Sequence, residues 1–251
     1  MKYAPLALVL LLVAPAVAQE EPDPAQILKD LTAANKEKDL TVAAALIDQI
    51  AELAKSSKDQ KALEPLAKEL TKTFKLAKGN WGTKRKILDT LGALRAKGGL
   101  SLLKKTATMK DPKTDDFVSL KVQALLALGQ FADSKLVDTI LDQSKDREVK
   151  VAEAAYTAMA GYGVAKGKVR RKAAEGLMKR IEAEYPYTTG GTNSKNPGEA
   201  AIKRWDTLRK PIIDALQAVC HENTINDINN WREWWKENKK NARAWKNKKS
   251  A

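Results

Sequence analysis

The sequence predicts an all-α fold, an α-solenoid of stacked antiparallel helix pairs with atypical capping helices at both ends. Three observations carry that prediction. Apolar residues recur at a period near 3.6 from Asp23 onward, broken only by short loops. Alternating β-branched runs of the kind that make strands are nearly absent. One helical segment also returns three times along the chain, each copy followed by a loop and a second helix.

Taken in order, Ala43, Leu46, Ile47, Ile50 and Leu53 form a one-sided stripe, and Leu63, Leu66, Ala67, Leu70 and Phe74 form another. Lys78-Gly79-Asn80 then stops the helix, as Gly and Asn do near a carboxyl end. The repeated segments are Lys86–Leu94, Lys121–Phe131 and Val149–Tyr162, whose glycines Gly92, Gly129 and Gly161 stand 37 and then 32 residues apart. Their followers are expected over Leu100–Thr108, Lys135–Gln143 and Lys168–Ala183. A helix pair of this length has two apolar faces and cannot bury both alone, so stacking on a neighbour stabilises it.

Asp146-Arg147-Glu148-Val149-Lys150-Val151-Ala152-Glu153-Ala154-Ala155 resembles the opening of a HEAT repeat. In that family an Asp opens the first helix, a Val follows, and an Ala-Ala pair marks close helix approach. Leu91-Gly92 and Leu128-Gly129 are similar to the end of the same helix, and Ile202–Val219 looks like a fourth first helix. The resemblance covers about half the chain. It implies repeats over 79–220 with a Gly-, Thr- and Asn-rich loop inserted at about 184–199. The segment 19–78 lacks the signature and is either degenerate repeats or an amino-terminal cap. The segment 221–251 reads as a tryptophan-rich capping helix with a basic tail. Its ending, Trp-Arg-Glu-Trp-Trp, is similar to that of exported bacterial HEAT-repeat proteins.

The amino terminus predicts export. Within Met1–Ala18 the only charge is Lys2, the run Ala4–Val17 is apolar, and Ala16-Val17-Ala18 has the small-x-small form of a cleavage site. The run is shorter than the roughly 20 residues a membrane-spanning helix needs, so a signal peptide cleaved after Ala18 and a periplasmic or extracellular protein are expected. No later segment is apolar enough to span a membrane. Removing Lys2 from 45 basic residues leaves 44 against 31 acidic ones, a net of +13. Outside the cytoplasm such a balance either keeps a helical surface soluble or meets an anionic polymer, lipid or protein. Cys220 is the lone cysteine and His221 the lone histidine. An intrachain disulfide and a His/Cys zinc site are therefore both excluded.

Few residues advertise chemistry. Lys104, Lys105, Lys168, Arg171 and Lys172 fall on second helices and form the candidate set for an anionic partner. Trp231, Trp234 and Trp235, with Ile225 and Ile228, make a stripe that reads as the cap of the last open face of the stack. The segment from Lys236 reads as a solvated basic tail, or as an electrostatic contact with Trp245 as an interfacial anchor. Cys220 and His221 are adjacent and, on a helix, would point about 100° apart, so they cannot act as a dyad. Gly161-Tyr162-Gly163 lacks the strand and acid of a dinucleotide fingerprint, and Gly190-Gly191 lacks the Lys of a phosphate loop. The expectation is a non-catalytic scaffold without cofactor or metal that binds a protein or peptide. The alternative is binding of an anionic polymer or membrane surface. Nucleic acid is disfavoured by the leader and by the lack of aromatics among the basic residues.

Overall fold

A computed structural model of the protein describes residues 23–57, 59–110, 114–186 and 198–246. The expected Met1–Ala18 leader and the centre of the expected 184–199 loop lie outside the described residues. Among the described residues the fold is all-α, with no strand. The helices are α1 (Pro24–Glu37), α2 (Leu40–Ser56), α3 (Glu64–Leu76), α4 (Trp81–Leu94), α5 (Lys97–Ala107) and α6 (Asp115–Gln130). They continue as α7 (Val137–Gln143), α8 (Val149–Ala160), α9 (Gly167–Glu184), α10 (Glu199–Cys220) and α11 (Ile228–Asn238), with a 3-10 segment at Gly161–Val164. None is long and apolar enough to cross a membrane.

Local sequence sets the helix ends. Asp23, Asp39, Asn80 and Asp227 each accept backbone N–H bonds from the first turn of α1, α2, α4 and α11. Lys38, Arg95 and His221 close α1, α4 and α10 in the left-handed conformation. The stripe expected on α2 is its buried face in full: Ala43, Leu46, Ile47, Ile50 and Leu53.

The helices form two layers. One layer holds α2, α4, α6, α8 and α10 side by side; the other holds α1, α3, α5, α7 and α9. Helices within a layer run parallel. Gly98 at the start of α5 faces Glu64 and Lys68 at the start of α3, and Lys172 near the start of α9 reaches Asp138 at the start of α7. The solenoid of stacked antiparallel pairs is thus the observed architecture. Its tightest cross-layer partners are α5 with α6, then α1 with α2 and α9 with α10, then α7 with α8. The repeated helices α4, α6 and α8 therefore pack best on the helix that precedes them, whereas their sequence followers come next in the opposite layer. The helices α1 to α3 continue both layers in the same alternation.

The recurring glycines mark where backbones meet. A Cβ on Gly92 of α4 would lie 2.8 Å from the Cα of Ala127 on α6. One on Gly129 of α6 would run into the Ala158 carbonyl of α8, and one on Gly163 would lie 2.8 Å from the Ala218 carbonyl of α10. Buried Ala124, Ala127, Ala152 and Ala155 keep the rest of these seams small. A methyl forced between backbones cannot be absorbed by a rotamer change. Gly129→Ala is therefore expected to lower the unfolding free energy by about 1–3 kcal/mol, seen as a lower urea midpoint. Gly82→Ala, in the first turn of α4 with its nearest neighbour 3.6 Å away, is expected to move the midpoint the other way, by up to about 1 kcal/mol of helix propensity.

Candidate functional site

The five basic residues singled out by the sequence occupy two places. Lys104 and Lys105 stand in the last turn of α5, Lys168 in the first turn of α9, and Arg171 and Lys172 one turn on. Because α5 and α9 run parallel with α7 between them, the end of one and the start of the other lie at opposite edges of the layer. The charge of Lys172 is answered by Asp138 at 2.7 Å, and its Nζ also donates to the Ser134 carbonyl at 3.1 Å. Arg171 faces a groove.

That groove, about 760 Å³, runs between α9 and α11. Its α9 side carries Arg171, Glu175, Met178, Lys179 and Glu182, a single face at helical spacing. The α11 side is fixed at both ends. Arg232 donates to both carboxylate oxygens of Glu182, at 2.8 and 2.9 Å, and its guanidinium lies 5.2 Å from the Tyr185 ring centroid. At the other end the chain turns back after α11 and lays Trp245 over Gly167, where a Cβ would run into the Trp245 carbonyl. Hence α11 runs antiparallel to α9, and its end comes alongside the start of α9.

Aromatic packing holds the turn together. Trp231 is fully buried, and Trp234 and Trp235 meet Trp245 edge-on with ring centroids 5.9 and 6.1 Å apart. The Trp245 indole N–H donates to the Asn238 carbonyl at 3.0 Å. As far as Lys246, the basic side chains of the expected solvated tail are exposed, but the segment is anchored through Trp245. Trp245 is only 7% exposed and belongs to the core, so it is not available as an interfacial anchor. Arg170, fully buried, explains why: its guanidinium donates to the Val219 carbonyl at 3.1 Å and the Lys246 carbonyl at 3.3 Å, joining the end of α10 to the tail.

Along the groove, three ion pairs cancel locally: Lys179 with Glu175 at 2.9 Å, Arg232 with Glu182 at 2.8 Å, and Lys236 with Glu233 at 3.0 Å. Arg171, Lys239 and Lys240 also line it and form no ion pair among the described residues. Partly buried Trp235 and buried Met178 form its apolar floor. Sequence reading missed this site. The one-sided α9 face was present as a signal, but nothing in the sequence said that α11 would lie against α9.

A second polar cluster is structural. Arg204 of α10 donates to Glu184 at 3.0 Å and to the Ser144 and Asp146 carbonyls at 2.8 and 2.9 Å. Asp146, whose place in the sequence opens a repeat, takes Lys121 of α6 at 2.6 Å. Burial pushes its carboxyl pKa up, but the Lys121 ammonium, the Glu148 N–H and the Arg204 charge outweigh that and hold it below the usual 3.8. Such a group stabilises the fold fully above its unfolded pKa and loses that contribution as pH falls through the folded value. Asp146→Asn is therefore expected to cost about 1–3 kcal/mol at neutral pH. The gap to the parent should close below the ordinary carboxylate range, as read from urea titrations at several pH values.

Cys220 offers no nucleophile. Burial pushes its thiol up to about 12, with Arg170 opposing and Glu222 adding to the shift. His221 is turned away, its Nε2 donating to the Gly163 carbonyl at 2.8 Å. Iodoacetamide at neutral pH is expected to leave Cys220 unmodified in the folded chain and to label it once urea unfolds the protein. Among the described residues, no group of three or more His, Cys, Asp or Glu side chains could hold a metal ion. No protein-family model matches the chain, and a search of curated proteins found no relative.

Proposed function

We propose that this protein is a non-catalytic helical-repeat scaffold of the HEAT type, exported by its Met1–Ala18 leader, which holds a polypeptide partner in the α9–α11 groove. The observation that carries this reading is the composition of the groove: an apolar floor of Trp235 and Met178 within a rim of fixed charges. Protein interfaces combine an apolar, aromatic-rich centre with a polar rim in the same way. A repeat stack also offers long surfaces without a catalytic cleft.

Attachment to an anionic polymer or membrane is the second reading, favoured by the net charge of +13 left once Lys2 goes with the leader. Less supports it. Lys172 is already paired, Lys104 and Lys105 stand at the far edge of the layer, and Trp245 lies inside the core.

Photocrosslinking in the native host separates the two. A benzoylphenylalanine replacing Glu233 in the full chain is expected to give adducts that protease digests, whereas one replacing Lys29 on α1 gives none. Equal yields at both positions, or none at either, would count against a partner-holding groove. Adducts that survive protease and carry lipid or polysaccharide would favour the anionic surface.

A further inference from the structure

The geometry points to an acidic peptide as the occupant of the α9–α11 groove, one that sets an apolar side chain on Trp235 and Met178 and places neighbouring carboxylates against Arg171, Lys239 and Lys240. This inference rests on the scaffold reading and adds the chemistry of the partner.

Charge placement carries it. The groove has a direction because α11 runs antiparallel to α9. Its Arg232 end is neutral, with guanidinium and carboxylate in bidentate contact. At the other end the close of α11 approaches the early turns of α9, which brings Lys239 and Lys240 towards the side bearing Arg171. These are the three cations of the groove that no carboxylate answers among the described residues. A ligand that matches this arrangement is apolar in the middle and negative on one side.

The same walls argue against a uniform polyanion. Glu175, Glu182 and Glu233 line the groove as well, each held by its own basic partner. A polymer with charge at every unit would press anions onto those carboxylates, and like charges at close range are repulsive. A peptide can put charge only where the cations are. The floor adds what a polyanion cannot use, an indole face and a thioether. The volume of about 760 Å³ suits a few side chains.

Fluorescence anisotropy with the full chain and a fluorescein-labelled Phe-Leu-Glu-Glu-Glu peptide tests the proposal at physiological salt. The comparison probes are Ser-Ser-Glu-Glu-Glu, Phe-Leu-Lys-Lys-Lys, polyglutamate and phosphatidylglycerol vesicles. The Phe-Leu peptide is expected to bind about ten-fold or more tightly than its Ser-Ser counterpart, as burial of one apolar side chain requires. The lysine peptide should not bind.

Lys239→Glu with Lys240→Glu, both exposed and outside the aromatic cluster, should weaken binding about five-fold or more with an unchanged thermal melt. Trp235→Ser should erase the difference between the Phe-Leu and Ser-Ser peptides. Trp235 also packs on Trp245, so the charge pair decides the matter if that variant fails to fold. Equal binding of polyglutamate or vesicles, or affinity indifferent to the lysine variants, would overturn the inference. Glu233 adducts without acidic-peptide binding would sink this inference and leave the scaffold reading standing; absence of adducts sinks the scaffold reading itself.

Discussion

The close approach of backbones along one layer is the constraint from which the rest of this structure follows. Where Gly92, Gly129 and Gly163 face Ala127, Ala158 and Ala218, no side chain separates one helix from the next. Each helix is thereby fixed in translation as well as in angle, because sliding by a residue would set a methyl against a carbonyl. The opposite layer inherits its spacing from this one through the cross-layer pairs. Arg204 can reach two carbonyls of the α7–α8 turn only because α10 is held at that distance from α8.

Much of this was legible in the sequence, and the reason is that the determinants are local. The apolar stripe of α2 and the stop at Lys78-Gly79-Asn80 each lie within a few turns of one helix, and the spacing of Gly92, Gly129 and Gly161 is read by laying one such short helical segment over the next. Their structural roles match. The pairing of the layers was less legible. A helix in a two-layer stack touches both the preceding and the following helix in the other layer, and periodicity does not rank the two. Loop length does not decide it either, since α5 and α6 are joined through a longer stretch than α4 and α5 yet pack more closely.

The candidate site was mostly illegible, for a physical reason. Five basic residues chosen by composition and helix order were assigned to one face. In a parallel layer, however, the position of a residue along its helix decides which edge it occupies, and Lys104 and Lys172 fall at opposite ends. The groove that the fold does build depends on where α11 docks. That docking is decided by long-range contacts such as Arg232 with Glu182 and Trp245 over Gly167, which no window of sequence contains. Only the one-sided α9 face was there to be seen.

Arg170 has a further consequence for what counts as the body of this protein. Burying a guanidinium is costly unless its N–H groups meet oxygen, and here one of the oxygens that receives them belongs to Lys246, well inside a stretch that composition would dismiss as a lysine-rich appendage. Hydrogen-bond accounting, rather than lysine density, draws the perimeter of the folded unit. Residues that look dispensable by their polarity supply part of the solvation of an interior cation.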